Sequence, residues 1–157
     1  MIRITREADY GILLMTGLAQ AEGQPRSAAA LAQQRRLPLP MVGKILKALT
    51  RAGLLNSQRG AQGGYSLARP ASEISAADII GALEGPLAIT ECSSERHDGC
   101  ARQDHCEVSG HWPRINQAIY SALQGISLDD LSQPNPPRPL HFHPLHPTGV
   151  HQLDRPI

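Results

Sequence analysis

The segment from Pro40 to Ala52 limits the fold more than any other. Met41, Val42, Ile45, Leu46 and Leu49 recur there at helical spacing, while Lys44, Lys47 and Arg51 fall on other faces. Prolines in Arg35-Arg36-Leu37-Pro38-Leu39-Pro40 forbid a helix from running straight into it, and Gly53 stands where a left-handed cap belongs. A short amphipathic helix like this must be covered by neighbours. The preceding residues supply two: a helix capped by Thr5 and running to about Gln20, and a shorter one capped by Ser27 with Ala28, Leu31 and Ala32. In the first, Tyr10, Leu13, Leu14 and Leu18 recur at core-facing spacing. Helix, short helix, turn and helix with a basic outer face is the layout of a helix-turn-helix.

The next residues extend that layout. Leu54 to Arg59 and Tyr65 to Ala68 read as short strands, joined by Gly60-Ala61-Gln62-Gly63-Gly64, whose glycines permit positive φ and close backbone approach, as in a wing. Ser75 with Asp78 marks a capping-box-like start for a helix through Ile79, Ile80 and Leu83 that stops near Gly85-Pro86. Trp112-Pro113 opens another helix, on which Ile115, Ala118, Ile119, Ala122 and Leu123 line one side. A lone helix with such a face needs a cover, and the equivalent helix of a second subunit is the natural one for a symmetric DNA reader; packing on its own domain is the other solution. Aromatics are only 3% of the chain, which suits helices packed on aliphatic side chains. The expected fold is therefore mainly α: a winged helix-turn-helix with a small β-wing, a cysteine-containing loop and a C-terminal dimerisation helix.

Charge separates the chain into two regions. Residues 1–70 hold ten Lys/Arg against three Asp/Glu, and residues 71–131 hold three against ten. A basic first half is an electrostatic footprint for a polyanion, and double-stranded DNA is the partner that a helix-turn-helix fits. No apolar run reaches the roughly 20 residues a membrane span needs. Arg3, Arg6 and the apolar run after Gly11 imitate a signal peptide, but Glu7 and Asp9 argue against one. Three cysteines cannot all pair within the chain, so the expected setting is the reducing cytoplasm.

Those cysteines, Cys92, Cys100 and Cys106, carry the chemistry. They lie in a stretch from Glu91 to about Gly110 that is rich in Ser, Gly, Asp and His and has no apolar period. Soft thiolates gathered in a short segment favour an iron-sulfur cluster, zinc or copper(I), and they also suit a thiol-disulfide sensor. The paired C-x2-C spacing of zinc ribbons is absent. A cysteine nucleophile would want a neighbouring base and a pocket, which this loop does not suggest, so no enzyme is expected. Beyond Leu131, residues 134–157 hold seven of the thirteen prolines and four of the seven histidines, the composition of a disordered tail.

Several motifs in order give the chain a resemblance. Ile4-Thr5-Arg6-Glu7-Ala8-Asp9-Tyr10, Arg59-Gly60-Ala61-Gln62-Gly63-Gly64-Tyr65 and Ile74-Ser75-Ala76-Ala77-Asp78-Ile79-Ile80 look like the Rrf-type winged-helix regulators, a family that includes IscR, NsrR and the regulators of the SUF iron-sulfur assembly system. Gly85 to Cys92 and Cys106 to Trp112 look most like the SUF-regulator subgroup. The resemblance runs from Met1 to about Leu131. It implies a homodimer with one cluster per subunit, 2Fe-2S or 4Fe-4S, held by the three cysteines and a non-cysteine fourth ligand. Asp9 matches an aspartate that NsrR-like members supply from the partner subunit; His105 and His111 are the local alternatives. The chain departs from IscR in a wider spacing of its first two cysteines and in Ser109, which stands where IscR has its histidine ligand.

The resulting division is a DNA-binding domain over 1–84, a cluster loop and dimerisation helix over 85–131, and a tail over 132–157. Lys44 is expected to face bases or phosphates in the major groove, with Lys47 and Arg51 nearer the backbone. Arg59 resembles the family's wing arginine, directed at a minor groove, and Gly43 replaces a sequence-reading glutamate. The implied function is a cluster-sensing repressor of cluster-assembly genes. A zinc- or thiol-based winged-helix regulator and a small iron-sulfur electron carrier are the alternatives.

Overall fold

A computed structural model of the chain describes residues 3–60, 62–86, 88–90 and 105–134. Cys92, Cys100 and the tail beyond Pro134 lie outside the described residues.

Helix α1 (Arg6–Ala19) begins at Thr5, whose side chain accepts a hydrogen bond from the Ala8 N–H at 3.2 Å. Ala8, Gly11, Leu14, Met15 and Leu18 form its buried face. Leu13, which its spacing assigns to that face, is instead 37% exposed, because one residue at 100° per step carries it onto the flank. Gly11 marks a close approach: a Cβ there would meet the end of the Leu83 side chain, which would have to shift, so bare backbone lets α1 sit tightly on α4 (Ala76–Glu84). Helix α2 (Ala28–Arg35) starts at Ser27, which accepts from the Ala30 N–H, and buries Leu31 and Ala32. Arg36 then takes a left-handed conformation, φ 54°, that turns the chain towards α3 (Leu39–Arg51). Pro40, near the start of α3, lacks only an N–H that the helix would not use.

Val42, Ile45, Leu46 and Leu49 of α3 are all buried, and with Leu14, Met15, Leu18, Leu31, Ile74 and Ile79 they form the core. Each such side chain, fully withdrawn from water, contributes about 1.5–3 kcal/mol. Strands β1 (Leu55–Gln58) and β2 (Gly64–Leu67) pair antiparallel, Leu55 opposite Leu67 and Gln58 opposite Gly64. A further bridge joins Tyr65 to Arg26, each N–H donating to the other's carbonyl at 2.9 Å. The wing is thereby fastened to the connection between α1 and α2. Among the described residues the structure is mostly helical with this one small sheet, a winged helix as expected.

Helix α4 begins with a complete capping box between Ser75 and Asp78. Helix α5 (Trp112–Gln124) follows the cysteine stretch, and then the chain returns. The Leu128 N–H donates to the Ile74 carbonyl at 2.7 Å, the Ala76 N–H donates to that of Ile126 at 2.8 Å, and Leu128 is fully buried. This starts the short helix α6 (Leu128–Ser132), which packs on α1 and has its own capping box, Ser127 with Asp130. Hydrogen bonds from the Ser127 hydroxyl and N–H hold the Asp130 carboxyl below the usual carboxylate range. Residues 126–131, which the sequence groups with the dimerisation segment, thus join the winged-helix unit, with Leu128 buried in its core.

Candidate nucleic-acid interface

Burial of one face of α3 sends the opposite face outwards. Lys44, Lys47 and Arg51 are exposed there, and no atom stands within 4 Å of the place a Cβ on Gly43 would occupy. Three cations along one open helix face, beside a residue with no side chain, suit the approach of a groove. Lys44 is already engaged: its Nζ lies 2.6 Å from Oε1 of Glu7 on α1. The pair is solvated, with side-chain exposures of 67% and 35%.

Arg59 follows β1, exposed at the start of the wing turn. Gly60 has φ 113°, and a Cβ on Gly63 would run into the Gln58 carbonyl, so the tight turn needs both glycines. Arg26 is exposed at the foot of the wing, a residue that sequence reasoning misses because only its bridge to Tyr65, across the fold, puts it there. Arg35 is a cation of another kind. Its Nη2 donates to Gln20 Oε1 at 3.1 Å and its guanidinium lies over Gly17, so it joins α2 to α1.

Of the expected metal ligands, Cys106 is described: a free, half-buried thiol. The Cys106 carbonyl accepts from the Ser109 hydroxyl at 2.9 Å, closing a turn that passes through the 3₁₀ segment Ser109–His111 into α5. His105 and His111 flank this turn and are exposed. Asp9 is exposed on the first turn of α1, next to neither histidine in sequence, and no group of three metal-ligating side chains occurs among the described residues. The donor set itself fits a cluster: three thiolates, soft ligands for iron, with one of them half-shielded from solvent.

Helix α5 buries no residue. Its Asn116, Tyr120 and Leu123 line a cleft of about 520 Å³ shared with Ile80 and Gly81 of α4, while Ile115 is 42% exposed and Tyr120 36%. No helix among the described residues is long and apolar enough to cross a membrane.

Comparison with known proteins bears on this arrangement directly. The Rrf2 family model, described as iron-dependent transcriptional regulator, matches residues 4–134. The chain is 32% identical over 136 residues to protein aau3 of Rhizobium meliloti, covering 86% of this chain and 88% of that one. The structure of CymR, the global cysteine regulator of B. subtilis, superposes with a TM-score of 0.65 at 34% identity, covering 84% of this chain and 97% of the other. T. potens IscR superposes with a TM-score of 0.62 at 32% identity, covering 83% and 85%. The family-model match takes in the winged helix and extends through α5 and α6.

Proposed function

Since the chain belongs to the Rrf2 family of transcriptional regulators and is not an enzyme, we propose that it is a cytoplasmic, homodimeric, cluster-sensing repressor acting on promoters of SUF-type iron-sulfur assembly genes. The observation that carries this reading is the set of three thiols between α4 and α5, Cys92, Cys100 and Cys106, in a chain otherwise built to hold DNA. In this reading the cysteines ligate a 2Fe-2S or 4Fe-4S cluster, and Asp9 of the partner subunit completes the set in preference to His105 or His111. When bound, such a cluster would supply a centre whose presence depends on iron supply and whose integrity depends on oxidation.

The chain's own residues do the rest. Drawing the sulfurs of residues 92, 100 and 106 to one point constrains the path from α4 to α5. The end of α4 touches the DNA-reading half directly, because Glu84 Oε1 accepts from the Thr5 N–H at 2.9 Å and Leu83 packs at Gly11 of α1. A change at the cysteines therefore has a short physical route to α1 and α3. On DNA, α3 enters the major groove with Lys44 facing bases or phosphates and Lys47 and Arg51 nearer the backbone, Arg59 reaches the minor groove, and α5 pairs the two subunits so that both reading heads meet their half-sites. DNA affinity shifts only by as much as metal binding differs between the two conformations.

A second reading, a zinc- or thiol-based regulator, draws for its thiol form on the likeness to Staphylococcus aureus CymR, whose structure is also known in an oxidized form. Anaerobic purification with visible absorption, iron and sulfide analysis, followed by promoter-binding assays on loaded and metal-free protein, separates them. Coloured protein with bound iron and sulfide is expected, losing its absorbance in Cys106→Ala. Colourless protein with stoichiometric zinc, or equal promoter affinity of both forms, overturns the proposal.

A further inference from the structure

Glu7 stands where it does for reasons independent of Lys44. Thr5 fixes the first turn of α1 twice, its hydroxyl accepting from the Ala8 N–H and its own N–H donating to Glu84 on α4. The positive end of the helix also favours a carboxylate in that turn. The turn is therefore anchored before any ion pair forms, and the Glu7 carboxylate is presented to the outer face of α3. There it meets Lys44 at 2.6 Å, next to Gly43, which offers no side chain of its own.

We infer that Glu7 is a positioning residue of the DNA-reading face, one that turns Lys44 from a phosphate binder into a base reader. The inference rests on the reading of α3 as the groove helix and deepens it. An ammonium has three N–H donors, and Glu7 occupies one. The other two can still reach the neutral acceptors of a base edge, such as guanine O6 and N7, without disturbing the pair. A phosphate is different. It carries the same charge as Glu7 and must compete with it for Lys44, a cost imposed at every DNA sequence alike. Glu7 therefore weakens the sequence-independent grip while sparing the specific one, and discrimination between DNA sites rises.

The test uses the full-length protein, fluorescence anisotropy and two short duplex probes: a random-sequence pool and the sequence enriched from it by the unmodified protein. Glu7→Gln is expected to tighten binding to the pool about threefold to tenfold at low salt and to steepen the salt dependence by about one released ion per subunit. Affinity for the enriched probe stays within about twofold, and in a Lys44→Ala background the gain on the pool falls below about twofold. Equal tightening in both backgrounds would reveal a bulk charge effect and overturn the inference, as would no tightening at all. If Lys44→Ala alone is silent while Lys47→Ala and Arg51→Ala weaken binding, the inference fails but the groove helix stands. If all three are silent, the groove assignment itself falls, and the role of Glu7 with it.

Discussion

Helices α3 and α5 are each thirteen residues long, each carries proline at its start, and each has an apolar stripe. Their fates differ. Four residues of α3 are buried within its own chain, whereas α5 buries none and leaves Ile115 and Tyr120 at the surface. The difference lies in what surrounds them. Helix α3 is enclosed by α1, α2 and α4, whereas among the described residues α5 meets the rest of the fold chiefly at α4, across a cleft. An amphipathic stripe therefore states that a face needs covering and is silent about what covers it.

The largest expected effect comes from treating the two helices alike. Leu46→Ala, in the enclosed helix, should cost about 2–5 kcal/mol of folding stability, because the cavity it leaves is walled by other helices; urea unfolding followed by circular dichroism measures it. Ile115→Asp should instead change unfolding by less than about 0.5 kcal/mol, as surface substitutions do. Its effect belongs to assembly: sedimentation should show monomers, and affinity for the enriched duplex should fall about tenfold or more as the half-sites lose their linkage. A stability loss in Ile115→Asp as large as that of Leu46→Ala would break the contrast and make the stripe of α5 part of its own domain's core.

The smallest effect concerns α6, which shares the core with α3 but depends on a carboxylate at its start. Asp130 is held below the usual range by its bonds from Ser127, so it binds its proton less readily folded than unfolded. Its contribution is therefore present above the unfolded value and lost as pH falls through the folded one. Between about pH 6 and pH 3 the thermal midpoint of the unmodified protein should fall slightly more than that of Asp130→Asn. Parallel curves for the two proteins would show that the cap adds nothing beyond the burial of Leu128.

Much of this fold is legible in the order of residues alone. The helices α1 to α5 and the wing follow from spacing, caps and breakers, with ends shifted by a residue or so: α3 begins at Leu39 where the proline signal points to Pro40, and β2 begins at Gly64 where the pattern points to Tyr65. Helix α6 escapes such a reading although Ser127 and Asp130 repeat the signal that marks α4, because five residues are too few to show a period. Leu13 is misplaced by its spacing because its neighbours at helical intervals are apolar too, and a wide stripe has an ambiguous edge. Of the proposed site, the cations of α3 and the thiols are visible as residue types. Arg26 is not, nor is the pairing of Glu7 with Lys44.

Local chemistry explains this division. Periodicity, capping hydroxyls, prolines and glycines act within a few residues, so the chain alone determines which segments become helices, where the wing turns and which residue types carry chemistry. Tertiary structure alone decided that Leu128 completes the core, that Arg26 stands at the foot of the wing and that Lys44, exposed on α3, is paired with Glu7 of α1. Each depends on a contact between residues tens of positions apart, and such contacts form only once packed helices have set the distances between them.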